Sequence, residues 1–357
     1  MVQGSVAEVV PLRPFVRKYL GSKRLLRGWI ADQITARAGV PASFLDGFFG
    51  TGSVSYEMAL RGAGRVLAVE TLRSNCVVLR GCCGARNAAG ATAAQNGRLD
   101  AVRQTLNDME PVRGYLWQSY ADRYFTEENC CRMDAIREEM ERLVGAGEIT
   151  GAEHEQLLAS FILEADRVAN TIGQYDAFLK NPRGPSNVDG RHLVDDRVHS
   201  AFRLRPLAPF PGRDTEVIEG DLVDLAPSLP VDVAYFDPPY NTRQYCDNYH
   251  VLENLARWEK PKLYGKTRKF ERGALKSPFS RRRDAAAALE RLILGARANH
   301  LFLSYSSEGI LDPGSVARIL SRRGAVQVSE RPYPVFGNGA GVSRRRTVVE
   351  YLFYVAR

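Results

Sequence analysis

Apolar and polar positions alternate along this chain in two styles. In the first, a short apolar run ends on an acid and glycines follow. Ser43-Phe44-Leu45 closes on Asp46, and Arg65–Val69 closes on Glu70. Between them lie a glycine-rich loop and a helical pattern from Ser53 to Arg61, stopped by Gly62 and Gly64. The same style returns after about Pro211. Glu216-Val217-Ile218 is strand-like, and Val231–Phe236 reads as a buried strand that runs directly into Asp237-Pro238-Pro239-Tyr240. Leu301–Tyr305, Ala325–Glu330 and Thr347–Val355 read as further strands. A helix is predicted after Asp312-Pro313, with Asp as cap and Pro in the first turn. Strands alternating with helices predict the α/β class, a parallel sheet, and ligands at the strands' carboxyl ends.

Residues 105–205 follow the second style, mostly helical and then loop-like. Phe125–Asp166 holds eleven acids against three arginines, so this face is poorly suited to gripping phosphate. Asn181–Gly190 is a loop rich in Pro, Gly and Asn. No fixed-period repeat is present. The expected organisation is one core, residues 1–104 and 206–357, interrupted by a helical insert at 105–205.

Composition narrows the function classes. With 45% hydrophobic and 25% charged residues, the 357-residue chain can bury a core. No run of 18 apolar residues exists, so no membrane span is expected. Met1–Ser5 lacks the basic-then-apolar start of a secretory signal. The six cysteines, at 76, 82, 83, 130, 131 and 246, show no C-x-x-C spacing and no histidine at zinc-finger distance. Neither a structural zinc nor a disulfide scaffold is expected, and the compartment expected is a reducing cytoplasm.

The net charge is +8, and its distribution is informative. Arg257–Arg283 contains eleven Lys/Arg and two Glu, so its excess alone exceeds that of the whole chain. Trp258, Tyr264, Phe270 and Phe279 are interleaved. A solvated loop is the plain reading. Cations mixed with aromatics favour nucleic-acid contact instead, with Lys266, Arg268, Lys269, Arg281, Arg282 and Arg283 foremost.

Two motifs carry candidate chemistry. Gly47-Phe48-Phe49-Gly50-Thr51-Gly52 spaces its glycines G-x-x-G-x-G, unlike the dinucleotide fingerprint, yet still lets backbone approach a ligand closely. Glu70, at the end of the next strand, could accept both hydrogen bonds of a ribose diol. In Asp237-Pro238-Pro239-Tyr240, consecutive prolines remove two donors and fix φ twice. A carboxylate, a rigid carbonyl and an aromatic ring within four residues suit a planar base bearing an exocyclic amine.

Together these motifs resemble the S-adenosylmethionine-dependent DNA amino-methyltransferases. Lys18-Tyr19-Leu20-Gly21-Ser22-Lys23 is similar to the motif that opens the branch containing the Dam-type adenine-N6 enzymes. The order also matches that branch: this motif, the glycine loop, an insert, then Asp-Pro-Pro-Tyr. The resemblance implies a Rossmann-like methyltransferase sheet, S-adenosyl-L-methionine as cofactor, DNA as partner, and residues 105–205 as a candidate target-recognition region. It implies that Tyr19 and Lys23 contact the cofactor near its methionine end. Asp46, Phe48, Gly50 and Gly52 would line its methionine and ribose portion, and Glu70 would hold the ribose hydroxyls. Asp221 would sit near the cofactor's adenine, the alternative being a helix N-cap for Leu222–Leu225. Asp237, Pro238, Pro239 and Tyr240 would form the catalytic corner, with Asp237 also bordering the cofactor.

Arg243, in the loop after that corner, is a candidate for phosphate contact or for filling the gap left by an extruded base. Val168–Tyr175, with Lys180 beyond it, reads as packing between insert and catalytic face. Cys246 lacks the Pro-Cys context of a cytosine-C5 nucleophile, and His250 is assigned to packing. Adenine N6 is the expected target. Cytosine N4 is the first alternative, ahead of RNA or protein-amide methylation and of a non-catalytic nucleic-acid-binding protein. No metal is required, and a cognate restriction endonuclease is a candidate partner.

Overall fold

The computed structural model describes residues 11–89, 93–179, 196–336 and 345–357. Seven strands build one sheet: β1 (Ser43–Asp46), β2 (Arg65–Glu70), β3 (Asp214–Glu219), β4 (Val231–Phe236), β5 (Ala298–Ser306), β6 (Val326–Phe336) and β7 (Arg345–Ala356). Their spatial order is β3-β2-β1-β4-β5-β7-β6. The first five are mutually parallel, and β7 runs antiparallel between β5 and β6.

Both faces of this sheet are covered, which is why its central strands read as unbroken apolar runs. Phe44, Val66, Val233, Phe302 and Leu352 point to one side, against Ile30, Ile34 and Met58 of helices Arg27–Ala38 and Ser53–Leu60. Their neighbours Leu45, Leu67, Ala234, Leu301, Leu303 and Phe353 point to the other, against Leu289, Leu292 and Ile293 of helix Ala285–Gly295. The one-residue alternation is the period of a strand written into a buried core.

The chain leaves β1 towards β2 and β3, then returns across the sheet to β4. The order therefore reverses between β1 and β4, where open α/β sheets form a ligand crevice. Asp46 pairs in register with Tyr235, so Asp237 follows β4 directly beside the end of β1.

The predicted insert contains helices Tyr115–Tyr120, Glu127–Gly145 and Gly151–Val168. Thr150 and Glu153 form a reciprocal capping box at the start of the last one. Its Leu158, Phe161 and Ile162 share one core with Val77 and Val78 of helix Arg73–Ala89 and with Val251, Leu252 and Leu255 of helix His250–Arg257. At Gly81 the two long helices approach so closely that a Cβ would lie 2.4 Å from Ala159 Cβ. Val168–Tyr175 does pack against the catalytic side, where the Tyr175 amide donates to the Asn248 carbonyl at 2.7 Å. Lys180, Asn181–Gly190 and Met1–Ser5 lie outside the described residues.

The strands after residue 297 exceed their sequence-based bounds. β6 continues through Pro332 and Pro334 to Phe336. It is an edge strand, where a missing donor is tolerated, whereas the prolines suggest an earlier stop. No described helix is long and apolar enough to cross a membrane.

Candidate active site

A cavity of about 350 Å³ opens at the β1/β4 crossover. Tyr19, Lys23, Asp46, Phe48, Gly50, Glu70, Asp221, Asp237 and Pro239 all line it. Nine residues singled out from sequence thus converge from five separate stretches of chain. Gly52, Pro238 and Tyr240 are not on its wall. Gly52 holds a left-handed conformation (φ 74°) at the N-cap of helix Ser53–Leu60, which turns the loop into the helix. Pro238 is buried behind the corner. Tyr240 stands beside the cavity, its hydroxyl 3.4 Å from where a Cβ on Gly21 would be.

Asp46 ends β1 and is 1% exposed. Its Oδ2 accepts from the Ser55 amide at 3.0 Å and the Ser55 hydroxyl at 2.6 Å. Its Oδ1 is buried without a hydrogen-bond partner. Burial pushes the carboxyl up to about 7, Ser55 opposes the shift, and the charge of Asp237 adds to it. A buried acceptor left open on a cavity wall suits a cationic donor group.

Glu70 ends β2 and faces the glycine loop. Its Oε2 accepts from the Gly50 amide at 3.1 Å, and its Oε1 from the Thr71 and Leu72 amides at 2.8 and 3.2 Å. Burial raises its pKa and these backbone bonds oppose the rise. Tyr19 packs beside it. Its hydroxyl accepts from Asn75 Nδ2 at 3.0 Å, and its ring stacks on Tyr249 with centroids 4.6 Å apart. Asp221 takes the helix N-cap position that is its alternative reading. Its Oδ1 caps the short helix Leu222–Leu225 through the Val223 amide at 2.9 Å, and it also lines the cavity.

The amino-terminal motif and the Asp-Pro-Pro-Tyr corner meet at Lys23. Its Nζ donates to Asp237 Oδ1 at 2.7 Å and to the Gly21 carbonyl at 3.2 Å, and sits 5.4 Å from the Tyr240 ring centroid. Burial alone would lower the pKa of this ammonium, but Asp237 and Glu350 outweigh it and hold the pKa well above the ordinary value. Asp237 is itself raised, by burial first, with Lys23 opposing and Glu350 adding. Two backbone bonds fix the corner: the Gly47 amide donates to the Tyr235 carbonyl at 2.9 Å, and the Ile310 amide to the Tyr240 carbonyl at 2.7 Å.

The cations expected to meet nucleic acid are not equivalent. Lys266, Arg281, Arg282 and Arg283 are exposed, whereas Arg268 and Lys269 are half-buried. Arg243 is exposed and donates to Gln174 Oε1 at 2.8 Å, linking the catalytic loop to the insert. Cys246 is buried on the cavity wall, and burial pushes its thiol up to about 11. His250 is buried between the Asp247 and Thr267 carbonyls.

A profile of the D12 class N6 adenine-specific DNA methyltransferases matches residues 19–312, the span that carries every cavity-lining residue named above. The chain belongs to this family. Among curated relatives, the type II methyltransferase M.CviAII of Paramecium bursaria Chlorella virus 1 is 30% identical, with 94% of this chain and 97% of that protein covered. M.NlaIII of Neisseria lactamica is 31% identical over 89% of this chain and 92% of its own length. The modification methylase StsI of Streptococcus sanguinis is 30% identical over 95% of this chain, which spans only about half (52%) of that protein. The family settles the choice between the two exocyclic amines left open by sequence, in favour of adenine N6.

Several residues of this methyltransferase's site gave no signal in sequence. Ser55 and Asn75 hold Asp46, Glu70 and Tyr19 in place from the helices that follow their strands. Ala274–Phe279 form one wall of the cavity, although they read only as part of a basic stretch. Glu350 arrives from β7, at the far end of the chain.

Proposed function

We propose that this enzyme uses S-adenosyl-L-methionine to methylate N6 of adenine within a specific DNA sequence. The donor would occupy the cavity at the β1/β4 crossover, and the target adenine, rotated out of the duplex, would sit at Asp237-Pro238-Pro239-Tyr240. The single observation that carries this reading is the Lys23–Asp237 ion pair, which joins the two motifs at the cavity's edge. Donor and acceptor sites then open into one space.

The cavity's residues suit that donor. Its volume falls within the roughly 300–1,000 Å³ common for small-molecule sites. The open Oδ1 of Asp46 fits an α-ammonium, Glu70 fits a ribose diol, and Asp221, Leu72 and Phe279 remain for an adenine ring. Five acids on the wall, Asp46, Glu70, Glu219, Asp221 and Asp237, outnumber its cations Lys23, Arg257 and Lys276, and this excess favours a cationic ligand. When bound, the donor supplies an electrophilic methyl group on a sulfonium.

The protein's part is placement and electrostatics. An exocyclic amine is a poor nucleophile because its lone pair is delocalised into the ring. Accepting its two protons at Asp237 and at the Pro238 carbonyl would favour a pyramidal nitrogen with that lone pair directed into the cavity. The Tyr240 ring would stack on the base. Extrusion of the base costs a few kcal/mol, which DNA contacts must offset. Arg243, Lys266, Arg268, Lys269 and Arg281–Arg283 are the proposed contacts, and residues 105–205 the proposed target-recognition region. An endonuclease with the same recognition sequence is a proposed partner, on the strength of the type II relatives.

The test pairs calorimetry with transfer. Asp237→Ala should lose methyl transfer by at least about 100-fold, with S-adenosylhomocysteine binding changed by less than about tenfold. Retained turnover would refute the assignment of Asp237.

A further inference from the structure

Glu350 lies on β7 opposite Ser306 of β5 and is 5% exposed. Its Oε1 stands 3.4 Å from Lys23 Nζ, yet is buried without a hydrogen bond. The same ammonium is 2.7 Å from Asp237 Oδ1. One lysine is therefore shared by two carboxylates, Glu350 buried on β7 and Asp237 partly exposed just after β4, strands that are not neighbours in sequence or in the sheet.

A carboxylate held this way is costly for folding, because its charge is desolvated and one oxygen is unsatisfied. A glutamine would fill the same space without the charge. The reaction supplies a reason for the charge. As the N6 lone pair bonds to the methyl carbon, the C–S electron pair stays on sulfur and positive charge passes to the amine. That nitrogen then releases one proton to water. With Lys23 alone, Asp237 would be half of a neutral pair. With Glu350 added, the cluster carries two negative groups to one positive, and the excess faces the amine as it becomes cationic.

We infer that Glu350 is a positioning residue of this methyltransferase: by sharing Lys23 it leaves Asp237 the net negative charge that the target amine meets. The inference rests on the proposed placement of the base at Asp237. Other groups facing that carboxylate are Tyr235 behind it on β4, Tyr240 in the corner, Tyr245 in the following loop and Asp46 across the crossover. Of these only Asp46 is a second source of negative charge, so the experiment must separate it from Glu350.

Glu350→Gln keeps the side chain's shape and removes its charge. Single-turnover methyl transfer should fall about 10- to 100-fold, with the Kd for S-adenosylhomocysteine within about twofold of the parent. In the unliganded protein, ¹³C NMR of the Asp237 carboxyl should show its titration midpoint falling by about one pH unit, while that of Asp46 moves less. An unchanged rate together with an unmoved Asp237 midpoint would overturn the inference. Should Glu350→Gln fail to fold, the parent protein still decides. The Asp237 carboxyl should titrate above an ordinary carboxylate, as burial and the neighbouring negative charge require, and a midpoint at or below the ordinary value would overturn the inference. Asp237→Ala separates the two levels. Turnover there defeats the placement of the base, whereas a dead Asp237→Ala beside a normal Glu350→Gln defeats only the role of Glu350.

Discussion

The proposed seat of the donor's ammonium at Asp46 makes cofactor affinity depend on pH in a window where most carboxylates do not titrate. The free Asp46 carboxyl is raised by burial to about 7, and only its ionised form can pair with an ammonium. Below that value each pH unit leaves about tenfold less of the competent form, so Kd should rise about tenfold per unit. From pH 8 to pH 6 the loss is about tenfold, and by pH 5 about 100-fold. Calorimetry with S-adenosylhomocysteine, which keeps the ammonium and lacks the reactive methyl, measures this directly. Repeating it in buffers of different ionisation enthalpy should show about one proton released per ligand bound near pH 6. Asp46→Asn should bind weakly and lose most of the pH dependence, which separates Asp46 from Glu70 and Asp237 nearby. The folding equilibrium must move the other way. The native chain holds protons on Asp46 and Asp237 that the unfolded chain releases, so the free protein should gain stability as pH falls from 7 towards 5. A Kd that stays flat from pH 8 to 5.5, with no proton release, would refute the seat of the ammonium.

Further outcomes are expected elsewhere in the molecule. Ser55→Ala removes the hydroxyl's bond to Asp46 Oδ2, leaving the amide's, and should move the binding limb to higher pH, as read by the same calorimetry. Gly47→Ala would bring a methyl within 2.4 Å of Leu222 Cδ2 and 2.6 Å of Phe236 Cδ1, both in the packed core. It should cost about 1–3 kcal/mol in urea denaturation, and an unchanged midpoint would show that this contact relaxes freely. Replacing Arg281, Arg282 and Arg283 by serine should reduce the slope of log K against log salt for DNA by about two to three. An unchanged slope would place the phosphates elsewhere.

The legible part of the site is the part that is local in sequence. Asp46, Glu70 and Asp237 each terminate an apolar run, so strand period and terminus could be read together, and a parallel sheet gathers such termini on one edge. Glu350 was hidden for the converse reason. Its strand pattern is ordinary, and it reaches Lys23 only because β7 inserts between β5 and β6, a pairing no local window contains. Ser55 and Asn75 were hidden because a helix turns them back onto the preceding strand's acid, which depends on how that helix docks. The prolines of β6 misled the strand boundary because edge position is itself a non-local property.

The basic stretch shows how charge counting alone blurs two kinds of cation. Arg257 lines the cavity and is committed to Glu219 and Glu253, and Arg272 to Asp247. Trp258 is stacked on by Arg137 and Lys260, while Phe270 and Phe279 are buried. Besides Lys260, the exposed cations of the stretch are Lys262, Lys266, Lys276 and Arg281–Arg283, with Arg281 and Arg283 only loosely held by Asp284 at 3.6 and 3.5 Å. Within it runs Ala274–Phe279, the cavity wall. Gln244 holds that wall by two bonds, from its Nε2 to the Ser277 carbonyl at 3.0 Å and from the Ser277 amide to its Oε1 at 2.8 Å. Ser280 adds a third to the Arg243 carbonyl at 3.1 Å. The segment that leads into the exposed arginines is thus the one that bounds the cavity and grips the loop after Tyr240. On the proposed function, a phosphate held at those arginines would bear on the cavity wall and on the loop after Tyr240 through one short, hydrogen-bonded stretch of chain.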